Sequence, residues 1–484
     1  MSLTSSALRE GVERIAPAVL ETTGAPGALV TIGFAGRAPL TLPFGVADVG
    51  TGAPVTAAHT MRVGSLGKVL VAAAIANLAR AGDLDLDAPI DRHLPFPVAN
   101  PHGGTVTLTG ALAMLTGAAT DGYDWVERHE PAMGYIEREL KRGVVREYGT
   151  GAPRFAGPAG TGEWRSSSFM YQVAALAAEA VTGVPLGRYV KAEILDPLGM
   201  RDTAWPDSPN WDEVRARCTT GHMVFGDRAV PLPWHECGTY HSVGAVTTPA
   251  DFTALMLALT GPGGRLRGEV SETVLAPRTS ARGGLRVGFG VHLAGEPDAA
   301  DHCVRAVGHY AFGWWAVSLA YPNAPEPFCV TVCTNLADQR DVFNPPEQYA
   351  FGILAFEIAD WVLRGAVDAR AHATRAEWGS YVMGLVAADR FAGLMGADLD
   401  RGRIARMAEG SRAVGGSAAA PFDEDRFVEG YLDMQAAARA GRIDAFLSGE
   451  CPVGGVFRKL ARKQWGAKNF EEPAPVRFWL DRRP

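Results

Sequence analysis

The spacing of apolar and polar residues divides the chain into a β-rich start, a helical middle and a second β-rich part. Residues 27–63 contain short apolar runs broken by Gly and Asp, which is typical of antiparallel strands joined by tight turns. Ala-rich runs predict helices over 65–81 and 171–182, the second ending at Gly183. Alternating strands return over 284–333. This order predicts one α+β domain whose sheet is built from both ends of the sequence.

The composition changes after Trp361. Helical stretches follow, and the segment AVGGSAAAP at 413–421 interrupts them with small residues typical of a flexible connection. The 484 residues exceed the ~250–300 that usually share one core. We therefore predict a first domain over 1–365 and a mostly helical extension over 366–484. The extension contains no internal repeat, metal-ligand spacing or phosphate-binding loop.

Charge and cysteine usage narrow the kinds of partner. The formal net charge is -7, and the basic residues are scattered, which argues against a nucleic-acid or membrane surface and favours small-molecule chemistry. The six cysteines are dispersed without CxxC spacing, so we expect reduced thiols. No cofactor and no metal is predicted, and the oligomeric state is left open.

The start of the chain bears on location. Arg9, Glu10, Glu13 and Arg14 stand where a signal peptide needs an apolar core, so we expect a cytoplasmic protein. We expect no membrane-spanning helix, because no segment approaches the ~20 consecutive apolar residues needed to span a bilayer.

A possible nucleophile lies at the head of the first predicted helix. Ser65 and Lys68 are three residues apart, so their side chains share one helix face. A lysine whose pKa is lowered by burial can take the proton of a serine hydroxyl, and a helix N-terminus favours the oxyanion that follows attack. The spacing alone also fits two polar residues at a helix start.

The residues around this pair carry a family resemblance. In order along the chain stand MRVGSLGK, GDLDLDAPIDRHLP, VTLTGALAMLTG, AVTGVPLGRYVKAEILDPLGM and SVGAVTTPADFTALM. From about Gly27 to Leu363 the chain resembles the class C β-lactamase-like serine hydrolases, which include penicillin-binding proteins, D-aminopeptidases, family VIII esterases and transacylases of antibiotic pathways. The resemblance implies an antiparallel sheet flanked by helices, with an all-α subdomain. It also implies that Ser65 is acylated and that Lys68 is its base.

The second motif of that family departs from its usual Tyr-x-Asn. Counting back from Val181-Thr182-Gly183 places Ser166 at the tyrosine position and Ser168 at the asparagine position. Because some relatives use a serine as proton relay, the resemblance implies that role for Ser166. Ser168 would stand where the family's amide holds substrate or lysine. The alternative is that these serines only cap the following helix.

The third motif, GHYAFGWW, resembles an H-x-G variant of the family's K-T-G strand. The resemblance places His309 beside the nucleophile and pairs the backbone N–H of Phe312 with that of Ser65 as an oxyanion hole. Ala311 replaces the usual glycine. Trp314 and Trp315 are candidates for an aromatic substrate pocket, although tryptophan pairs more often pack in cores.

A histidine-rich stretch, PWHECGTYHS, lies between these motifs. It lacks the helical i, i+4 spacing of a zinc site, and we expect it to form a loop on the substrate side. Tyr240 in this stretch is a candidate to reach the pocket and replace the missing phenol.

These features predict an intracellular serine acyl-transfer enzyme. Its donor would be a small-molecule ester, thioester or amide, and its acceptor water, an amine or an alcohol. It would act as an esterase, an amidase or a transacylase of specialised metabolism. The missing Tyr, Asn and Gly leave one alternative, a catalytically inactive binding protein on the same scaffold.

We predict that limited proteolysis cuts the folded chain first between Arg412 and Pro421, because small residues there offer an accessible, weakly structured backbone. Mass spectrometry of the fragments locates the cut. Early cleavage elsewhere, with this segment intact, would contradict a connection at this position.

Overall fold

The computed structural model describes residues 4–118, 125–126, 131–144, 153–225, 228–280, 286–308 and 313–336, with further helical residues between 354 and 446. The strands are β1 (Gly27–Phe34), β2 (Leu40–Gly45), β3 (Met61–Arg62), β4 (Trp125–Val126), β5 (His222–Phe225), β6 (Arg228–Pro231), β7 (Glu236–Cys237), β8 (Val246–Thr247), β9 (Thr279–Ser280), β10 (Arg286–Val287), β11 (His292–Ala294), β12 (Cys303–Gly308), β13 (Trp315–Tyr321) and β14 (Phe328–Thr334).

The helices that join these strands fill the middle of the sequence. They are α1 (Ser5–Thr23), α2 (Gly67–Ala81), α3 (Leu108–Leu112), α4 (Ala132–Arg142), α5 (Ser168–Thr182), α6 (Leu186–Val190), α7 (Asp196–Leu198), α8 (Trp211–Ala216), α9 (Tyr240–Val243), α10 (Pro249–Thr260) and α11 (Glu269–Leu275). A later helix, Glu424–Arg439, is called the tail helix below.

Eight strands form one antiparallel sheet in the order β2-β1-β14-β13-β12-β11-β10-β9. The first long strand pairs with the last, so that Ala28 lies opposite Thr334 and Phe34 opposite Phe328. All eight residues of β1 are buried, because both faces of the sheet are covered. The α+β class and a sheet built from both ends of the sequence are confirmed.

Helix α10 packs on the centre of the sheet. Thr248 caps it by accepting the Asp251 N–H at 3.2 Å, and Pro249 occupies the first turn. Its Thr253 hydroxyl donates to Thr331 of β14 at 2.7 Å. Gly33 of β1 makes this approach possible, since a methyl group there would lie 2.5 Å from the Thr253 side chain.

Helix α2 is the core helix of the helical part. A 3₁₀ turn over Gly64–Leu66 precedes it, and Gly82 ends it in the left-handed conformation at φ 83°. Residues 64–81 are long and apolar enough to cross a membrane by length and composition alone, which the sequence analysis did not expect. An alanine-rich core helix can be as apolar as a membrane-spanning helix. This segment is 72% buried inside the protein.

The 3₁₀ turn before α2 lies directly against the end of β12. A methyl group at Gly308 would lie 1.8 Å from the carbonyl oxygen of Val63 and 2.9 Å from the Leu66 side chain. The end of strand β12 therefore fixes the position of the turn that carries Ser65.

The tail helix packs against an earlier segment through two glycines. A methyl group at Gly384 would lie 1.9 Å from the Phe427 carbonyl oxygen, and one at Gly430 would lie 2.0 Å from that of Tyr381. The Tyr381 hydroxyl also donates to Asp433 at 2.6 Å. The connection predicted at 413–421 lies outside the described residues. The division at 365 stays a prediction.

Five cysteines are described, and all five are free thiols, as expected; four of them are buried and Cys218 is half-buried. Cys451 lies outside the described residues.

We predict that Gly308→Ala lowers the free energy of unfolding by ~1–3 kcal/mol. The added methyl would overlap the backbone carbonyl of Val63, which cannot rotate away as a side chain can. Urea unfolding measures the loss. Gly134→Ala in α4 is the control, since nothing lies within 4 Å of its methyl and alanine favours helix by up to ~1 kcal/mol. Equal effects at the two glycines would contradict the close packing at β12.

Candidate active site

The Ser65 hydroxyl and the Lys68 amine meet at the start of α2. Lys68 Nζ lies 2.6 Å from Ser65 Oγ. The lysine side chain is buried, with 3% of its surface exposed, whereas Ser65 is half-buried. The 3₁₀ turn presents the serine at the helix head, where the N-terminal dipole favours negative charge.

A second hydroxyl holds the same lysine from across the site. Lys68 Nζ donates to Ser168 Oγ at 3.1 Å, and Ser168 is 3% exposed. Ser168 begins α5, and Ser167 caps that helix by accepting the Met170 N–H at 3.2 Å. Thus the third serine of the motif makes the contact with lysine that the family resemblance implies for its position.

Ser166 precedes the cap of α5 and is half-buried. The Lys68 amine donates to the hydroxyls of Ser65 and Ser168, and the described residues show no hydrogen bond between it and the Ser166 hydroxyl. Its role as proton relay stays a prediction.

Two phenols lie near this arrangement. The ring of Tyr171 lies 5.7 Å from Lys68 Nζ, but its hydroxyl donates to the Leu112 carbonyl at 2.6 Å. Burial raises the pKa of Tyr171 far above its usual range. Burial, and then the nearby Asp207 carboxyl, do the same to the pKa of Tyr240. Neither phenol is therefore ready to act as a base near neutral pH.

Tyr240 itself is 4% exposed and belongs to α9, which packs against both α2 and α5. Helix α9 touches α2 through backbone. A methyl group at Gly67 would lie 2.9 Å from the carbonyl oxygen of His241 and 3.1 Å from that of Ser242. This approach sets α9 directly beside Lys68.

The third motif is only partly described. His309, Ala311 and Phe312 lie outside the described residues, so their predicted roles stay predictions. The flanking strands β12 and β13 both pack against the 3₁₀ turn that carries Ser65. Trp315, the first residue of β13, is 7% exposed.

Trp314 lines a different cavity. Its indole N–H donates to Thr219 at 3.0 Å, and its ring meets that of Trp234 at 5.7 Å. The buried Arg62 guanidinium stacks on Trp234 at 3.9 Å. These aromatic rings border a cavity of about 300 Å³ whose lining includes neither Ser65 nor Lys68. Trp314 is therefore a buried packing residue in this structure. A substrate contact by Trp314 stays a prediction.

A polar cluster that the sequence analysis did not predict joins Glu179 of α5, His241 of α9 and Asp207, which lies between α7 and α8. His241 Nε2 lies 2.8 Å from Asp207 Oδ2 and 3.9 Å from Glu179 Oε1. Ligand atoms of the three side chains all lie within 4.8 Å of one another, close enough to hold a metal ion. The residues are separated by 28 and 34 positions, so no local motif joins them.

The chain was compared with known families and proteins. A model of the Beta-lactamase family matches residues 12–350. A human beta-lactamase-like protein is 27% identical over 252 residues, 49% of this chain and 46% of the relative. Esterase EstB of Burkholderia gladioli is 28% identical over 210 residues, 42% of this chain and 52% of the esterase. The chain thus spans about half the length of these relatives.

Solved structures share the fold. A class C beta-lactamase from Rhodobacter sphaeroides superposes with a TM-score of 0.55 at 17% identity, over 73% of this chain and 99% of that one. The D-amino acid amidase of Ochrobactrum anthropi SV3 gives 0.57 at 19% identity, over 75% and 99%. At such low identity the likeness shows the fold alone.

Proposed function

Because this chain belongs to the Beta-lactamase family, whose serine hydrolases include esterases and amidases, we propose that it transfers acyl groups through an ester on Ser65. The donor is an ester, thioester or amide. The acceptor is water, as in an esterase or amidase, or an amine or alcohol, as in a transacylase of specialised metabolism.

The observation that carries this proposal is the buried Lys68 amine between two hydroxyls. Its distances are 2.6 Å to Ser65 Oγ and 3.1 Å to Ser168 Oγ. Burial disfavours the charged ammonium, and a neutral amine accepts a proton from the Ser65 hydroxyl. No other pair of described groups combines a nucleophile with a base at this distance on a helix N-terminus.

In the first half of the reaction, Ser65 Oγ forms a bond to the acyl carbon as its proton passes to Lys68 Nζ. The bond to the leaving group then breaks, and the leaving atom receives that proton by way of a serine hydroxyl. We assign this relay to Ser168, which already touches the lysine. In the second half, the acceptor atom passes its proton by the same serine hydroxyl to Lys68 Nζ and forms a bond to the acyl carbon. The bond from that carbon to Ser65 Oγ then breaks, and Oγ takes the proton from Lys68.

The oxyanion of the tetrahedral intermediate would be met by the backbone N–H of Ser65 at the head of α2. Pairing with the N–H of Phe312 remains part of the proposal, as does a supporting hydrogen bond from His309.

A cytoplasmic location is also part of the proposal. Substrates would then be cytoplasmic small molecules and not cell-wall peptides. Fractionation of the producing cells tests the location.

The other candidate function is binding without catalysis. It is favoured by the protonated state of Tyr171 and Tyr240, so that neither of these two described phenols is a tyrosinate base. In that case the hydroxyls around Lys68 would serve only to satisfy a buried amine.

We predict that the wild-type protein gains one fluorophosphonate adduct, and that Ser65→Ala gains none while remaining folded. Lys68→Ala should lose labelling almost as completely, because members of a catalytic pair act together. Intact mass and circular dichroism measure labelling and folding. An adduct of equal yield on Ser65→Ala would contradict the nucleophile. Failure of the wild type with phosphonate and β-lactam probes alike would favour the binding protein.

We predict that Ser168→Ala lowers kcat for p-nitrophenyl butyrate by ~10²–10⁴-fold, the usual contribution of general acid–base assistance. Ser166→Ala should lower it less, because that hydroxyl does not contact the lysine, and Tyr240→Phe should leave it nearly unchanged. Steady-state kinetics at one pH ranks the three. A larger loss at Ser166 would return the relay to that residue, and a loss confined to Tyr240→Phe would indicate a relocated phenol.

A further inference from the structure

A buried glutamine joins α5 to α9. Gln172 lies four residues after Ser168, so it is on the same face of α5 one turn further along. Its Oε1 accepts the backbone N–H of His241 at 3.0 Å, and its Nε2 lies 2.7 Å from His241 Nδ1. Gln172 and His241 are both 0% exposed. Water cannot replace either bond at this depth.

The directions of these bonds follow from the donors. A backbone N–H only donates, so Oε1 of Gln172 faces it and the amide N–H₂ of Gln172 faces the imidazole. His241 Nδ1 is therefore an acceptor without a proton. The ring proton is on Nε2, which donates to Asp207 Oδ2 at 2.8 Å. This network assigns a neutral His241 with one tautomer.

The acidic end of the network is anchored to backbone. Asp207 Oδ2 also accepts the Gly187 N–H at 3.0 Å, and Glu179 Oε1 accepts the Leu186 N–H at 2.9 Å. Burial raises the pKa of Asp207, but the interaction with His241 and the hydrogen bonds that the carboxylate accepts, among them the one from the Gly187 N–H, outweigh burial, so the net shift is downward. Asp207 therefore remains a charged acceptor for the imidazole.

The glutamine, α9 and the head of α2 complete a triangle around the reactive groups. Gln172 holds α9, and α9 presses its His241 carbonyl against Gly67, the residue before Lys68. The third side of the triangle is the 3.1 Å contact between Lys68 and Ser168. If α9 moved relative to α5, it would shift the head of α2 through Gly67 and so change the distance between Lys68 Nζ and Ser168 Oγ.

We propose that Gln172 and His241 are positioning residues that hold Lys68 and Ser168 at hydrogen-bond distance, an inference that rests on the proposed acylation of Ser65 for its effect on rate. They touch no reacting atom. They act through the placement of α9 against α2, and Asp207 fixes the tautomer on which the bond from Gln172 Nε2 to His241 Nδ1 depends.

The same geometry argues against a metal ion in this cluster. A metal at His241 Nε2 would displace the ring proton to Nδ1, where it would point at the N–H₂ of Gln172. Two donors would then face each other in a buried site, at a cost of a lost hydrogen bond.

The first test removes both bonds at nearly constant volume. Gln172→Met should lower kcat for p-nitrophenyl butyrate by up to about 10²-fold, with KM little changed, since displacement by about 1 Å costs that much. Gln435→Met is the matched control, because Gln435 is also buried, at 7% exposed, but belongs to the tail helix. A crystal structure of Gln172→Met should show Lys68 Nζ and Ser168 Oγ beyond hydrogen-bond distance.

The second test, Gln172→Glu, keeps one of the two bonds. The introduced carboxylate still accepts the His241 N–H but offers no N–H to Nδ1. Its kcat for p-nitrophenyl butyrate should therefore lie below that of wild type and above that of Gln172→Met, with KM again little changed.

The outcomes separate the two proposals. An unchanged Lys68–Ser168 distance in Gln172→Met, or wild-type kcat in both variants, overturns the positioning role. A lengthened distance in Gln172→Met, together with a wild-type protein that no probe acylates, supports the positioning role and overturns the proposed function. If EDTA lowers wild-type kcat and zinc restores it, the cluster holds a metal and the assignment of His241 is wrong.

Discussion

The burial of one lysine amine is the constraint on which the site depends. Lys68 is 3% exposed, and taking an ammonium out of water is costly unless it is hydrogen-bonded or loses its proton. The fold supplies two hydroxyls, Ser65 and Ser168, from helices that are far apart in sequence. Because burial disfavours the charged form of this amine, it also favours the neutral form, which can accept a proton as a base.

Close backbone contacts hold the head of α2, which carries that amine, in place. Glycines let three segments touch the head of α2: Gly67 admits α9, Gly308 admits β12, and Gly290, at φ 72°, lies where a methyl would be 2.9 Å from the Lys68 carbonyl carbon. Such contacts transmit small shifts, because no flexible side chain lies between the segments. This rigidity is why a glutamine one turn from Ser168 can govern the geometry at Lys68.

Local patterns predicted the parts of the structure that depend on local physics. The helix predicted over 65–81 and a sheet joining both ends of the domain followed from periodicity and turn chemistry. Family spacing placed Ser168 where the family's amide holds substrate or lysine, and its hydroxyl lies 3.1 Å from Lys68 Nζ. The Gln172–His241–Asp207 network was not predictable, because its members meet only after α5, α9 and the loop before α8 have packed. Equally, no pattern in GHYAFGWW says that Trp314 faces Trp234.

The pH dependence of labelling tests the central claim most directly. Fluorophosphonate labelling of the wild-type protein should accelerate as pH is raised from about 6 to about 10, because the Lys68 amine must be neutral to accept the proton of Ser65. In Lys68→Ala that rise should vanish along with most of the rate. A wild-type rate that does not change over this range, or a rise that persists in Lys68→Ala, would contradict the lysine as the base that activates Ser65.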